Sequence, residues 1–592
     1  METRMLNVRI NGRAYEVPEG ITILKAAQEY ANIDIPTLCY LEGISEEGAC
    51  AICVVEVKGA KNLQRACVVK VTDGMEVWTN TARVREARKL NVELLLANHP
   101  TDCFTCEKNQ ICRLRELAAE VGVREVEFPR TRSEWLPFDE TSLSLIRDPN
   151  KCVLCRRCVN VCAKVQSVYA IDIVGRGSNS MVSTFLDEGL GNVECVNCGQ
   201  CLLVCPTGAI TERSEIPQVW KALGNPDKVV VVETAPAVRV AIGEEFGMPD
   251  GTQATGKMVA ALRGLGFDEV FDTDFSADLT IMEEGYELIG RLKNGGTLPL
   301  ITSCSPGWIK FAETFFPHVL DHVSSCKSPQ QMFGTVTKTY WAEKMGIDPR
   351  NVVVVSIMPC TAKKFEKERP EMKTAFHYWQ EKMGLRDEEA FNDVDYVLTT
   401  REAAQMIRES GMDFANLPDE QFDKPLGESS GAAVIFGATG GVMEAALRTG
   451  YEVLTNKTLE KLEFEDVRGL AGIKSAEVNI DGTILRVAVA NGLGNARVLM
   501  EQVQKGESPY QFIEIMCCPG GCLGGGGQPI SDHPDVKQRR AEAIYREDAG
   551  KPIRKSHENP EIVEIYKEFL GEPNSEKAHH LLHTEYCDRS CE

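Results

Sequence analysis

From about residue 214 onward, short apolar runs alternate with stretches in which apolar positions recur every three or four residues. Residues 229–233, 238–242, 298–301, 352–357, 396–399 and 433–437 read as short buried strands, and 256–265, 275–293 and 441–447 as helices between them. That alternation predicts parallel sheets covered by helices. The N-terminal pattern differs. Residues 6–10 and 14–17 flank Asn11-Gly12-Arg13, a hairpin signal; 23–30 read as a short helix, 54–57 as a strand and 84–98 as a helix ending at His99-Pro100. The longest apolar runs, such as 229–232 and 352–355, fall far short of the ~20 residues that span a bilayer. The N-terminus, Met1-Glu-Thr-Arg-Met, lacks an apolar signal core. The terminal Cys591-Glu592 does not fit a prenylation box. These patterns read as cytoplasmic, with no membrane association.

Composition adds two constraints. The 592 residues suit several domains, about four by the usual domain size. A net charge of −22 argues against nucleic acid, because binding phosphates takes basic patches. The 23 cysteines, without an export signal, read as metal ligands in a reducing compartment rather than as a disulfide framework.

Fifteen of those cysteines lie in the first ~210 residues, in recognisable spacings. Cys39, Cys50, Cys53 and Cys67 form C-x10-C-x2-C-x13-C. Three sulfurs near one loop and a distant fourth suit a [2Fe–2S] cluster in a small β-grasp domain, similar to a plant-type ferredoxin with altered spacing. Zinc is the competing reading for any four cysteines, and the clusters downstream weigh against it. His99, Cys103, Cys106 and Cys112 form H-x3-C-x2-C-x5-C, a His-ligated [4Fe–4S] pattern. An imidazole in place of a thiolate removes negative charge and raises the potential. Cys152, Cys155, Cys158 and Cys162 make C-x2-C-x2-C-x3-C, and Cys195, Cys198, Cys201 and Cys205 repeat it. This is the two-cluster bacterial ferredoxin pattern, in which the fourth cysteine of each run serves the other cluster. Cys152, Cys155 and Cys158 therefore pair with Cys205, and Cys195, Cys198 and Cys201 with Cys162. Four one-electron carriers in series make a wire whose endpoint lies elsewhere.

Three later segments put cysteines beside Pro or Gly at the ends of apolar runs: Thr302-Ser-Cys-Ser-Pro-Gly-Trp308, Met358-Pro-Cys-Thr-Ala-Lys363 and Glu514-Ile-Met-Cys-Cys-Pro-Gly-Gly-Cys522, the last followed by four glycines and Gln528-Pro529. Loops of this kind converge on a buried metal site. The glycine run 524–527 lacks the strand and helix of a dinucleotide loop. Gly437-Ala-Thr-Gly440-Gly441 suits a phosphate nest or a close backbone approach equally well.

These three segments resemble the signature loops of the [FeFe]-hydrogenases. Residues 235–246 and 436–448, and the upstream order of cluster motifs, resemble that family too, so the likeness covers nearly the whole chain. It implies an oxidoreductase that interconverts protons and H2 at an H-cluster: a [4Fe–4S] cube joined through a cysteine sulfur to a di-iron unit with CO, CN and a bridging dithiolate. By motif, Cys360 and Cys518 bind the cube, Cys522 bridges cube and di-iron unit, Lys363 donates to a cyanide, and Pro359, Met358 and Met516 pack against the cofactor. Arg291, Glu287, Ser324, Glu284 and Cys304 match the family's proton relay. The resemblance also implies one [2Fe–2S] and three accessory [4Fe–4S] clusters, and electrons from ferredoxin or from an NAD(P)H-binding flavin subunit with a small [2Fe–2S] subunit in a hetero-oligomer. The domains then run 1–79 ([2Fe–2S]), 80–140 (His-ligated cluster), 141–213 (two-cluster ferredoxin), 214–535 (a two-lobed α/β H-cluster domain) and 536–592 (a small-subunit-like segment wrapping it). The fold class is multidomain α+β and α/β.

One departure concerns the site itself. The usual first loop has two adjacent cysteines, the second a cube ligand, and here they are Cys304 and Ser305. Three outcomes stay open. Ser305 binds iron, Cys304 leaves the relay to bind it, or Cys326 or Cys517 compensates. Ala51 stands where an arginine is common. Cys587 and Cys591, after His579, His580 and His583, have no assignment. Competing readings are an H2 sensor and a non-catalytic electron-transfer or cluster-assembly protein on the same fold. No signalling segment follows residue 530, and Lys363, Cys522, Glu284 and Glu287 are retained; both facts favour the enzyme.

Overall fold

The N-terminal hairpin forms as Met5–Ile10 and Arg13–Pro18, with Asn11 and Gly12 both at positive φ in the turn. The structure, a computed structural model, describes residues 4–132, 134–480 and 482–590; Cys591 lies outside them. The chain divides into two compact units, one built mainly from residues 1–165, 169–193 and 200–211, the other from 166–168, 194–199 and 212–592.

In the first unit the hairpin joins Glu76–Trp78, Val54–Val57 and Gln64–Arg65 in a five-stranded sheet. Alternation along Met5–Ile10 buries Leu6, Val8 and Ile10 on one face, against Ile23, Leu24 and Val55. Helix Ala82–Ala97 follows, its first turn capped by Thr81, whose hydroxyl accepts from Val84 N.

The second unit carries two four-stranded sheets. In one, Glu269–Asp272, Val229–Thr234, Val352–Met358 and Tyr396–Thr399 lie side by side, all parallel. Val352–Met358 is buried along its whole length, as a strand covered on both faces must be. Each of its valines stabilises the fold by about 1.5–3 kcal/mol. In the other sheet, Leu300–Ile301, Phe512–Met516 and Thr483–Asn491 are parallel, and Ile473–Ile480 adds an antiparallel edge. The expectation of parallel sheets therefore holds for all but this hairpin, whose outer strand is largely solvent-facing.

Two expected strands are something else. Residues 238–242 wind as successive turns into a 3-10 helix, Ile242–Phe246. Their backbone is satisfied locally, with Val238 N donating to Ala235 O and Ala241 N to Val238 O. Buried Arg239 is held there by Asp272 at 2.6 Å, Asp274 at 3.1 Å and Glu547 at 3.2 Å. Residues 433–437 lie in helix Gly431–Val434, capped by Ser430, and a 3-10 turn, Ile435–Gly437. A short apolar run without a period does not distinguish a buried strand from a buried helix.

Helix Thr273–Asn294 starts at Asp272, whose carboxylate accepts from Asp274 N, and stops at Gly295 in the left-handed region. The C-terminal segment is helical at Val536–Gly550, Pro560–Ile565 and Glu576–Leu582. It is tied down by Arg540–Glu244 and Arg448–Asp548 ion pairs. No helix among the described residues is long and apolar enough to cross a membrane.

Candidate active site

Three loops leave the C-terminal ends of parallel strands, where ligands gather in such folds. Residues 302–305 follow Leu300–Ile301, Cys360 follows Val352–Met358, and Cys517 and Cys518 follow Phe512–Met516. The glycines let these loops touch. A Cβ on Gly525 would lie 2.1 Å from Pro359 O, and one on Gly526 would lie 2.4 Å from Cys198 O. Gly527 N donates to Pro359 O at 2.9 Å. Met358, Pro359 and Met516 are buried beside them.

Cys304, Cys360 and Cys522 keep partial exposure although protein surrounds each thiol, and burial pushes all three thiols up, Cys522 to about 12. Cys518 is buried, and its charge is the next cause of the shift at both Cys360 and Cys522. Lys363, in the short helix Ala362–Glu366, reaches the same place: Nζ donates to Glu366 Oε2 at 2.9 Å and to Cys304 O at 3.3 Å. Glu366 also accepts from Ser328 Oγ and Gln330 Nε2.

On helix Thr273–Asn294, Glu284, Glu287 and Arg291 are spaced i, i+3, i+7, on one face. Arg291 Nη2 meets Glu287 Oε1 at 2.6 Å, and Ser324 Oγ donates to Glu287 Oε2 at 2.8 Å. Glu284 lies inward of them, 2% exposed, with Oε1 unpartnered. Burial first, then the charge of Glu287, raises its pKa to about 8, against hydrogen bonds from Ser324 and the Ser303 backbone. The charge of Glu284 in turn is the second cause, after burial, that keeps the Cys304 thiol protonated. A carboxyl poised near neutrality, with a free oxygen, thus stands between an outer ion pair and a buried thiol.

Residues 228–526 match the iron only hydrogenase large subunit, C-terminal domain, and 534–589 the iron hydrogenase small subunit. The chain is 52% identical, over 99% of both chains, to the NADP-reducing hydrogenase subunit HndD of Solidesulfovibrio fructosivorans. The chain belongs to the iron-only hydrogenases. It is also 43% identical to iron hydrogenase 1 of Clostridium pasteurianum, over 98% of this chain and 100% of that one. A variant of apo [FeFe]-hydrogenase HydA1 from Chlamydomonas reinhardtii superposes with a TM-score of 0.55 at 44% identity, covering 64% of this chain and 99% of that one. Upstream, residues 3–82 match a 2Fe-2S iron-sulfur cluster binding domain, 88–127 the NADH-ubiquinone oxidoreductase-G iron-sulfur binding region, and 151–209 a 4Fe-4S dicluster domain. The hydrogenase is therefore an iron–sulfur oxidoreductase.

The accessory thiols of this hydrogenase fit clusters. Cys53 Sγ lies 3.3 Å from Cys67 Sγ, and Cys50 N donates to Cys39 Sγ at 3.5 Å. Hydrogen bonding between the two thiols lowers Cys50 and raises Cys39. Ala51, between them, sits at φ 52. His99, Cys103, Cys106 and Cys112 line one hollow, and buried His99 Nδ1 has no partner, as a ligand awaiting iron would not. Cys152, Cys155, Cys158 and Cys205 line another, the grouping expected from the crossed ferredoxin pattern. Cys162 lies in the π-helical turn Val161–Val165, Cys201 in helix Gln200–Leu203, and Cys195 and Cys198 just before it.

Several residues of the hydrogenase core were not assigned from sequence. The helix start at Gly440 is filled by the chain's own anion: Gly440 N and Met443 N each donate to Glu514 at 2.7 Å. A Cβ on Gly440 would sit 1.9 Å from Val467 O, so the glycines serve close approach and no phosphate is needed. Cys326 lies beside the relay, 3.9 Å from Glu287 Oε2 and 4.0 Å from His583 Nδ1, and its carbonyl accepts from Ser303 Oγ at 2.6 Å. His583 also meets Ser325 Oγ at 2.8 Å and Glu283 Oε2 at 3.0 Å, and stacks on His579. His580 and Cys587 are exposed.

Glu233, on strand Val229–Thr234, is fully buried and accepts from Ser356 Oγ at 2.6 Å and Thr273 Oγ1 at 2.8 Å. Burial raises its pKa to about 8, against those two hydrogen bonds and the charge of Lys363. With its folded pKa above the unfolded value, the stabilisation is complete below about pH 4.5 and is lost as pH rises through about 8. The slope is at most about 1.4 kcal/mol per pH unit. Glu233→Gln is expected to flatten the fall in thermal midpoint of the catalytic half between pH 5.5 and 7.5. An unchanged slope would show that Glu233 is ionised throughout.

Proposed function

We propose that this hydrogenase catalyses the reversible reduction of protons to H2 at an H-cluster, with electrons delivered through one [2Fe–2S] and three [4Fe–4S] clusters held by the N-terminal cysteines and His99. The observation that carries the reading is the approach of a buried, half-satisfied Glu284 to Cys304, beside the converging loops of Cys360, Cys518 and Cys522. The cofactor, when bound, supplies the iron at which electrons meet protons.

The chain's own residues do the rest. Cys360, Cys518 and Cys522 would hold the iron cofactor. Lys363 places a cation against anionic ligands, with Met358, Pro359 and Met516 as the dry wall. Protons pass from Glu287, held in place by Arg291, through Ser324 to Glu284, which is protonated below about pH 8, and then to the Cys304 thiol. A carboxyl with a pKa near the working pH both takes and gives a proton readily.

The relative named an NADP-reducing hydrogenase subunit, matched end to end, supports a hetero-oligomer in which a flavin subunit exchanges electrons with NADP(H); ferredoxin is the other candidate donor. The proposed module limits are residues 79, 140, 213 and 535. The reading is tested by maturing the protein with its di-iron cofactor, then recording infrared carbonyl and cyanide bands and H2 evolution from reduced viologen. Bands with turnover are expected. Missing bands would sink the hydrogenase mechanism, and bands without turnover would favour an H2 sensor.

A further inference from the structure

The cube needs four ligands and the loops supply three undisputed thiols. We propose that Cys517 is the fourth, taking over from the position now held by Ser305. This rests on the H-cluster reading above and extends it to a ligand set peculiar to this chain.

The alternatives are removed by geometry. Cys326 is occupied at the outer end of the relay, with its backbone paired to His583 and its amide donating to Ser324 Oγ. The Cys304 thiol is near enough to Glu284 for that carboxyl's charge to act on it, as suits a proton carrier. Ser305 caps helix Pro306–Phe315 by position only; its hydroxyl makes no capping bond and instead accepts from Cys517 N at 3.3 Å. A serine alkoxide is far more basic than a thiolate, so iron competes poorly for it at neutral pH.

Cys517 has what a ligand needs. It is 5% exposed and its thiol lies within hydrogen-bonding range of the thiols of Cys518 and Cys198. Gln166, itself buried, directs Nε2 at Cys517 Sγ from 3.7 Å and at Cys517 O from 3.1 Å. An amide N–H aimed at sulfur is the usual support for a cluster thiolate. Space for the sulfur is built in: a Cβ on Gly307, two residues after Ser305, would lie 2.7 Å from Cys517 Sγ. The serine and the extra cysteine are thus in direct contact across two loops, one sulfur lost and one gained at the same corner. Binding iron releases the thiol proton and needs no electron. The same sulfur adjoins the thiol of Cys198.

The test uses the full chain, reconstituted with iron and sulfide and with no source of di-iron unit. Iron, acid-labile sulfide and paramagnetic resonance through a reductive titration are compared for Cys517→Ala, Ser305→Ala and the double variant Ser305→Cys/Cys517→Ala. Cys517→Ala is expected to lose about four irons per chain, one cluster's worth, or to hold an iron-deficient cube with an altered signal. Ser305→Ala is expected to keep full content, and the double variant to regain it, which separates ligand loss from misfolding. Full content and an unchanged signal in Cys517→Ala, or loss in Ser305→Ala, would overturn the assignment. Because the cube is read without the di-iron unit, these outcomes are independent of whether matured protein shows carbonyl bands.

Discussion

Glu284→Gln is expected to lower H2 evolution from reduced viologen by about 10²–10⁴-fold, the range for losing a positioned acid–base group, while the infrared carbonyl and cyanide bands of the matured protein persist. Glutamine keeps the shape and fills the same buried place, but it cannot release a proton at any working pH. The loss should therefore fall on turnover and leave cofactor retention intact. Glu284→Asp, one methylene shorter, should recover part of the rate. Glu287→Gln should cost less, because Glu287 already stands beside Ser325 and His583 as well as Ser324, so that position has other neighbours through which protons arrive. In the unaltered enzyme, evolution should decline as pH rises through about 8, where Glu284 loses its proton. Turnover by Glu284→Gln within a few-fold of the unaltered enzyme would show that protons bypass this carboxyl.

The parts of the fold that were legible are those with a period or a breaker. Helix Thr273–Asn294 announces itself by length and by Gly295, and Val352–Met358 by an unbroken β-branched run. Residues 238–242 and 433–437 are equally apolar but are helical or turned, because Arg239 and Ser430 anchor them through partners far along the chain. Hairpin Ile473–Ile480 and Thr483–Asn491 was missed since its outer strand alternates with exposed polar residues and offers no apolar run.

The site divides in the same way. Thiolate cages are legible because iron dictates cysteine spacing, and the loops do converge. Partners of buried charge are not, since nothing in sequence marks Glu514 as the anion at Gly440, or Glu283 as the partner of His583, 300 positions away. Ser305 was visible as a departure, but its contact with Cys517 appears only when residues 212 positions apart meet.

Lys363→Met shows what such a hidden partner costs. Lys363 and Glu366 form a nearly buried pair, 2.9 Å apart, with side chains 10% and 5% exposed. Removing only the cation leaves a carboxylate that Ser328 and Gln330 still hold in place, so it is neither free to reach water nor neutralised. The catalytic half should lose about 3–5 kcal/mol, the cost of stranding one member of a buried pair. Lys363→Met/Glu366→Gln should recover most of that loss in denaturant melts, because the neutral amide keeps its hydrogen bonds and needs no cation. The double variant should not recover the cofactor: if Lys363 donates to a cyanide, the infrared cyanide bands shift or fade in both variants alike. Equal stability loss in the single and double variants would mean that Glu366 is not the reason the lysine matters. Normal cyanide bands in both would mean that the lysine serves the protein and not the cofactor.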